Sequence, residues 1–395
     1  MSTRHPAPDF SVAHGVLQSE VDALRLAGVS CATLRDGELV DSFCTGFARI
    51  DTAERLRPDH IHRAFSNTKL VTAVLTLMLA DAGHFALDDP IARWIPALGK
   101  VHVLRPGAQA ITDTEPLARD ITIRHLLTHQ AGLSHGVFDP GTLIFKAYQE
   151  AGIRRPDTTL AEEMALLGGL PLIFQPGEGW EYATGADVLG RLIELVTGQR
   201  FGDALQQRLF APLGMVDTGF VLTPEQAPRL AALYRGDLED PMKPGLTRLD
   251  DTPWPGAYLS PKPRESGAGG LCTTQADMLA LLRELMPGRP SRLLRPETLA
   301  ELFTDQLPPG RCVQFPMMGP IPSLGFGLGG AVTRSASGLQ PAAAVGELQW
   351  GGVAATHWFI SPATGLAGVV MAQRFMGFWH PFWFAYKRAL YEAAT

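Results

Sequence analysis

The chain has 395 residues, of which 46% are hydrophobic and 19% are charged, a balance typical of a globular protein without extended disorder. Its formal net charge of -6 disfavours a nucleic acid or an anionic membrane surface as a partner. The 41 glycines and 31 prolines predict many turns and long irregular connections. Because large mixed α/β enzymes of this length can share one core, we expect residues 1–395 to form a single domain.

The cysteines and the N-terminus indicate the compartment. The four cysteines show neither metal-binding spacing nor the density of a disulfide framework, so we interpret them as reduced, mostly buried thiols. Residues 1–10 contain no apolar signal core, and no run is long and uncharged enough to span a membrane. The expected location is therefore cytoplasmic.

In chain order, the pattern predicts strands near both ends and helices between them. An amphipathic helix over 10–28 precedes a hairpin of strands 29–34 and 39–48, joined by an Asp36-Gly37 turn. Further helices are predicted over 70–82, 122–129, 159–167, 186–198, 201–213 and 275–285. Strands return at 325–332, 347–351, 355–360 and 366–372, before an aromatic stretch and a helix ending at 393.

This order predicts an α/β (α+β) fold. One antiparallel sheet would be built from both chain ends and flanked by the terminal helices, with a mainly helical subdomain inserted. The sheet subdomain is predicted at about 10–62 and 268–395, and the helical subdomain at about 63–267. Two proline-rich loops, 235–265 and 307–322, either cover a site or contact a partner subunit.

The only Ser-x-x-Lys of the chain lies where the first inserted helix begins. Ser66 and Lys69 are one helical turn apart and share a face. A serine becomes a useful nucleophile when a base takes its proton, and a lysine is such a base if burial or a neighbouring cation keeps it neutral. The helix N-terminus favours the oxyanion that forms during attack on a carbonyl. The pair predicts acyl transfer; a capping serine beside an exposed lysine is the alternative.

Two further segments support this chemistry. Tyr182 follows a Pro-Gly loop, from which its hydroxyl can relay the serine proton, although a packing role is open for a lone tyrosine. Near the C-terminus, Gly351 and Gly352 allow a ligand to approach the strand backbone. An N–H from that strand can pair with the Ser66 N–H as an oxyanion hole; a bulged strand end is the alternative.

Together these segments resemble the serine β-lactamase and penicillin-binding-protein superfamily, in its class C-like branch, and are most similar to the family VIII carboxylesterases. The similarity extends from about residue 15 to the end, with matching order and spacing. The segments that carry it are Phe65-Ser66-Asn67-Thr68-Lys69, residues 125–133, residues 176–182, Gly267-Ala268-Gly269-Gly270-Leu271, Trp350-Gly351-Gly352 and residues 361–366.

The resemblance implies the β-lactamase-like fold and a role for each matching residue. Ser66 would be the nucleophile, with Lys69 and Tyr182 as the general base pair. The backbone N–H groups of Ser66 and Val353 would form the oxyanion hole. The substrate-binding residues would be Trp350, Gly351 and Gly352. No cofactor is implied, and because no His/Asp/Glu group has ligand spacing we expect no metal.

Two departures from the family pattern bear on the substrate. The tyrosine box commonly reads Tyr-x-Asn or Tyr-x-Ser, and here it is Tyr182-Ala183-Thr184. The third box of β-lactamases commonly reads Lys-Thr-Gly, whereas Trp350-Gly351-Gly352 has no cation to receive the carboxylate of a lactam. This favours neutral esters. Apolar residues that would suit an apolar acyl or alcohol group, or simply pack in the core, are Trp180, Phe326, Trp358 and residues 375–384.

The predicted function is a serine carboxylesterase that cleaves short- to medium-chain esters. The alternatives are a β-lactamase or D-amino-acid peptidase, an acyltransferase using the same acyl-enzyme, and a catalytically silent binding protein. The chain has no Gly-x-Ser-x-Gly elbow, so an α/β-hydrolase triad is not expected. We assign His129 a structural role at the turn to Gly132 and His357 a place in a strand. The expected partner is a small-molecule ester, and the oligomeric state stays open.

Overall fold

The computed structural model describes residues 8–249 and 251–394. The helices are α1 (Ser11–Asp22), α2 (Thr68–Asp81), α3 (Ile123–Leu127), α4 (Leu143–Ala151), α5 (Leu160–Leu167), α6 (Gly185–Thr197), α7 (Phe201–Leu205), α8 (Ala211–Leu213), α9 (Gln275–Leu285), α10 (Pro296–Leu302) and α11 (Pro381–Ala394), with a π-helical turn Gln206–Phe210 between α7 and α8. The strands are β1 (Gly28–Arg35), β2 (Glu38–Arg49), β3 (Glu54–Arg55), β4 (His62–Arg63), β5 (His102–Leu104), β6 (Thr114–Pro116), β7 (Leu233–Arg235), β8 (Thr247–Leu249), β9 (Cys272–Thr273), β10 (Val313–Phe315), β11 (Gly319–Ile321), β12 (Leu324–Phe326), β13 (Ala331–Thr333), β14 (Leu348–Gly352), β15 (Thr356–Ser361), β16 (Leu366–Ala372) and β17 (Arg374–Phe375).

The main sheet joins the two ends of the chain. Its strand order is β12-β13-β14-β15-β16-β1-β2-β3, and the N-terminal strand β1 pairs antiparallel with the C-terminal strand β16. The β1–β2 hairpin closes through Asp36 and Gly37, whose φ angles of 52° and 83° are those of a type I′ turn. The predicted antiparallel sheet built from both chain ends is therefore confirmed.

Different helices cover the two faces of this sheet. The terminal helices α1 and α11 pack together on one face, against side chains such as Cys31 and Val370. On the other face, α9 packs against β1 and β16. Because both faces are covered, every residue of β16 and all but the last residue of β1 are buried. The prediction named the terminal helices alone, which cover one face.

The inserted region begins and ends at one place. Strand β4, where the chain leaves the N-terminal half, pairs antiparallel with β9, where it returns. Between them, α2 packs on α6, and α6 packs on α3, α5 and α7. Thr122 and Thr159 cap α3 and α5 with their hydroxyl groups. The division into a sheet subdomain and a helical subdomain stays a prediction, and the β4–β9 pair lies at its proposed boundaries.

Several elements differ from the prediction. The strand expected at 325–332 is two strands, β12 and β13, because a glycine-rich turn with Gly329 at φ +102° separates them. The loop 307–322 contains the β10–β11 hairpin, and the loop 235–265 carries β8, which pairs with β7 beside β17. Neither α4 nor α10 was predicted. Among the described residues, no helix is long and apolar enough to cross a bilayer, and the four cysteines are free.

A buried ion pair fixes α11 to the main sheet. Lys387 on α11 contacts Glu347, the residue before β14, and both side chains are completely inaccessible to solvent. Tyr391, one turn further along α11, donates a hydrogen bond to the same carboxylate. Burial raises the pKa of Glu347, whereas Lys387 and Tyr391 act to lower it.

We expect Lys387→Met to lower the free energy of unfolding by about 3–5 kcal/mol, because the Glu347 carboxylate is left buried without its cation. Replacing both partners, in Lys387→Met/Glu347→Leu, should recover most of that loss. The measurement is urea denaturation. Lys243→Met is the matched control, because the Lys243–Asp237 pair is exposed and its loss should leave the transition midpoint in place. Equal destabilisation by the single and double variants would contradict the ion-pair explanation.

Candidate active site

Ser66 lies in a tight turn that leads into α2. The turn Phe65–Asn67 is a 3₁₀ helix, and α2 continues from Thr68. Phe65 has a φ of +43°, a left-handed conformation that is uncommon for a bulky residue and common at functional sites. No side chain caps either helix, so Ser66 is not a capping serine. Its side chain is partly exposed while the residues on both sides are buried.

The end of β14 packs directly against this turn. A Cβ on Gly352 would come within 2.4 Å of the Ala64 carbonyl oxygen, and a Cβ on Gly351 within 2.4 Å of the Thr356 carbonyl oxygen. Position 352 therefore requires glycine for the strand to reach the Ser66 turn, whereas position 351 requires it for close pairing of β14 with β15. Val353 follows at the strand end and lines the same cleft as Ser66. Its N–H makes no hydrogen bond with any residue that the structure describes.

Lys69 is buried beside the Ser66 hydroxyl. Its Nζ lies 3.3 Å from Ser66 Oγ and donates a 2.7 Å hydrogen bond to the carbonyl oxygen of Ala268. The same nitrogen lies 4.5 Å from the centre of the Tyr182 ring. Burial lowers the pKa of Lys69, while Tyr182 and Asp187 act to raise it. A lysine with a depressed pKa next to a serine hydroxyl can accept the serine proton.

The loop that carries Ala268 is fixed between α2 and α6. Asp187 on α6 accepts hydrogen bonds from the Ala268 N–H at 3.1 Å and from Ser266 Oγ at 2.8 Å. Thr72 on α2 donates to the Gly267 carbonyl at 2.8 Å. These bonds place the Ala268 carbonyl against the lysine amine. The sequence showed this glycine-rich segment only as part of the resemblance and gave it no role.

Tyr182 is held by rings on several sides. Its Oη accepts a 3.2 Å hydrogen bond from Trp350 Nε1, because an indole nitrogen only donates. His129 lies 4.8 Å from the tyrosine ring, and its Nδ1 accepts a hydrogen bond from the Ala183 N–H. Burial lowers the pKa of His129 well below its usual value, so the ring is neutral. His129 thus fixes the tyrosine loop, and its role at the turn to Gly132 stays a prediction. Trp350 contacts the tyrosine as well as the cleft.

An apolar cleft of about 100 Å³ opens beside Ser66 and Tyr182. The side chains that line it are almost all aromatic or aliphatic, and no arginine or lysine is among them. Besides Ser66, Tyr182, Gly351 and Val353, the lining residues are Phe138, Phe315, Pro316, Met317, Trp350, Met376, Phe378 and Trp379. The β10–β11 hairpin of the 307–322 loop therefore covers the cleft, whereas none of the described residues of the 235–265 loop lines it.

The aromatic residues singled out in the sequence fall into two groups. Part of the 375–384 stretch lines the cleft. In contrast, Trp180 and Phe326 surround His129 behind the tyrosine, and Trp358 is completely buried on β15 in the core. The sequence missed Phe138 and Phe315, which lie on segments without a regular pattern. It also missed His135, which stacks on Tyr182.

One group of side chains has donor atoms close enough to suggest a metal. His14, Cys31 and Asp41 have such atoms within 4.8 Å of one another, the only such group in 8–249 and 251–394. His14 Nε2 is hydrogen-bonded to Asp41 at 3.0 Å, and burial raises the pKa of Cys31 to about 12. A protonated thiol is a poor ligand, so the contact of His14 with Asp41 accounts for this arrangement.

The sequence profile of the Beta-lactamase family matches residues 14–381. The chain belongs to this family. Among its relatives, Esterase EstB of Burkholderia gladioli is 31% identical, over 97% of this chain and 97% of its own length. Lovastatin esterase of Penicillium rubens is 31% identical, over 89% of this chain and 90% of its own. The resemblance drawn from the motifs is confirmed.

The fold is also that of solved structures in the family. The structure of EstCE1, described as a hydrolase with promiscuous acyltransferase activity, superposes with a TM-score of 0.81 at 25% identity. The match covers 96% of this chain and 98% of EstCE1. The predicted β-lactamase-like fold is confirmed.

We expect Gly267→Ala to slow the labelling of Ser66 by a fluorophosphonate about 10- to 100-fold. The new Cβ would come within 2.4 Å of the Ala186 carbonyl oxygen, so the loop must move and take the Ala268 carbonyl away from Lys69. Gly269→Ala is the matched control, because its nearest neighbour would be 3.6 Å away. Intact-mass kinetics measure both rates. Equal effects of the two substitutions would rule out this role for the loop.

Proposed function

We propose that this protein is a serine carboxylesterase that cleaves neutral short- to medium-chain esters through an acyl-enzyme on Ser66. The observation that carries the proposal is the Ser66 hydroxyl 3.3 Å from the buried Lys69 amine, at an apolar cleft. The similarity to two named esterases along most of the chain supports the same activity. A silent binding protein would have no use for a lysine buried beside an accessible serine.

In the acylation step, Ser66 Oγ attacks the ester carbonyl carbon while its proton passes to neutral Lys69 or, if Tyr182 is a phenolate, through the lysine amine to Tyr182 Oη. The negative carbonyl oxygen is held by the N–H groups of Ser66 and Val353. The free Val353 N–H and the contact of β14 with the Ser66 turn support this assignment. Collapse of the intermediate breaks the bond to the alcohol oxygen, which leaves with a proton from the base pair.

Deacylation repeats the step with water. The Lys69–Tyr182 pair takes a proton from water, whose oxygen attacks the acyl carbon, and Ser66 recovers its proton as the carboxylic acid is released. Trp350 donates a hydrogen bond to Tyr182 Oη, and this bond stabilises negative charge on that oxygen. Gly351 and Gly352 contribute shape, because their lack of side chains lets the substrate lie along β14.

The lining of the cleft supports a neutral, apolar substrate. Phe315, Phe378 and Trp379 offer aromatic surface to an acyl or alcohol group. No cation in the lining is placed to receive a carboxylate, so penicillin-type substrates lose a charge-assisted contact. We therefore rank β-lactamase and D-amino-acid peptidase activity below ester hydrolysis. A cytoplasmic location stays a prediction from the sequence.

We expect the native chain to form a single fluorophosphonate adduct on Ser66 and to hydrolyse p-nitrophenyl esters. Ser66→Ala should lose the adduct and lower kcat/KM by more than about 10³-fold without a change in melting temperature, because the hydroxyl is the reacting group. Ser260→Ala, an exposed serine, is the control and should behave like the native chain. An adduct that persists in Ser66→Ala would overturn the proposed function.

The second candidate is acyl transfer to an alcohol, which uses the same acyl-enzyme. Two observations favour it: the apolar lining, which suits an apolar alcohol better than water, and the promiscuous acyltransferase activity described for EstCE1. The two activities differ only in which nucleophile attacks second. Product analysis with increasing concentrations of an aliphatic alcohol distinguishes them. New ester that replaces free acid at constant total turnover supports transfer, and exclusive acid formation supports hydrolysis.

A further inference from the structure

An arginine lies behind the tyrosine of the candidate base pair, outside the cleft. Arg154 follows α4, and its Nη1 lies 2.8 Å from His135 Nδ1 and 3.2 Å from the His135 carbonyl oxygen. The imidazole of His135 stacks on the Tyr182 ring, with ring centres 5.2 Å apart and planes 7° from parallel. Contacts thus run from the guanidinium through the imidazole to the tyrosine and on to Lys69.

The chemistry of the groups fixes the state of His135. A guanidinium only donates hydrogen bonds, so His135 Nδ1 must be the unprotonated acceptor and the ring proton lies on Nε2. Burial, together with the charge of Arg154, lowers the pKa of His135 well below its usual value. The imidazole is therefore neutral at ordinary pH. It occupies the space between Arg154 and Tyr182 without adding a charge of its own.

We propose that Arg154, placed behind His135 and Tyr182, supplies the positive potential that Trp350-Gly351-Gly352 cannot, and thereby keeps Lys69 ready to accept a proton. The inference rests on the proposed function. Arg154 does not line the cleft, so it is a positioning residue and not a catalytic one. Its effect is on the proton equilibrium of the base pair.

The sign of the effect follows from electrostatics. A nearby cation disfavours the ammonium form of lysine, so it promotes proton loss from Lys69. Arg154 acts on the pKa of Lys69 in the same direction as burial, whereas Tyr182 and Asp187 oppose it. Burial and Arg264 lower the pKa of Arg154 itself to about 10, which leaves it charged at neutral pH.

The other charges nearby are largely paired with one another. Arg264 donates to Asp187 at 2.6 Å and to Glu163 at 2.5 Å, in a buried cluster. The two carboxylates are thereby engaged by one guanidinium, while the hydrogen bonds of Arg154 go to neutral His135. The titratable and charged groups that face Arg154 or the base pair are Lys69, His129, His135, Glu163, Tyr182, Asp187 and Arg264.

The backbone at Arg154 offers a way to remove the charge without disturbing the fold. Its φ is +73°, a conformation that suits glycine better than arginine. Arg154→Gly therefore fits the local backbone and deletes the guanidinium. Arg154→Met deletes the charge but keeps the length, and Arg154→Lys keeps the charge. Arg155→Met is the matched control, because it removes the same charge at the adjacent exposed position.

The test is the pH dependence of kcat/KM for a p-nitrophenyl ester, with fluorophosphonate labelling of Ser66 as a second readout. Loss of the cation raises the pKa of Lys69, so the acidic limb of the pH profile should move to higher pH by about 0.5–1 unit in Arg154→Met and Arg154→Gly. Below the limb their rates fall about 3- to 10-fold, and at high pH they return to the native rate. In Arg154→Lys and Arg155→Met, the acidic limb should lie at the same pH as in the native chain.

A uniform loss of rate at every pH, with the limb unmoved, would overturn the proposal and show a purely structural role. A limb that moves as far in Arg154→Lys as in Arg154→Met would also overturn it, since charge would not be the cause. Failure of the proposed function looks different: the native chain would then show no adduct on Ser66 and no ester turnover. If the native enzyme is active and Arg154→Met and Arg154→Gly keep its pH profile, the result contradicts this inference but not the proposed function.

Discussion

The candidate active site depends on the burial of one amine. Lys69 is almost inaccessible to solvent, and no carboxylate among the described residues forms an ion pair with it. A buried ammonium without a counter-ion is costly, so the protein favours the neutral amine. The groups that contact Lys69 carry no formal negative charge: a carbonyl oxygen, a serine hydroxyl and the face of a tyrosine. Folding therefore provides the environment in which the Lys69 amine can accept the proton of Ser66.

Two separate parts of the chain must meet for this environment to exist. The Ser66 turn is packed against β14 from the C-terminal half of the sheet, and Lys69 is covered by the Ala268 loop, which Asp187 holds against α6. Glycines allow both approaches, because a Cβ at Gly352 or Gly267 would collide with a backbone oxygen. The reactive geometry is therefore a property of the whole fold, and local changes in either part are transmitted to the serine.

The sequence predicted what short-range patterns encode. The i, i+3 spacing placed Ser66 and Lys69 together, and the alternation and turn residues at the chain ends gave the hairpin and the antiparallel sheet. The sequence did not predict the role of Ala268, because that residue contributes a backbone carbonyl and no side chain. It also did not predict His135 and Arg154, whose contacts form only when their loops fold. The strand expected at 325–332 was wrong because an apolar run does not show that Gly329 turns the chain back.

The hairpin over the cleft has a consequence for how the enzyme can change. Strands β10 and β11 pair only with each other, apart from the main sheet, and their tip carries Met317, which is 75% exposed. Lys69 and Tyr182, which would accept the proton of Ser66, lie on other segments. Substitutions in the hairpin therefore alter the shape of the substrate site while Ser66 and Lys69 stay in place. The hairpin can thus change the substrate selectivity independently of the catalytic groups.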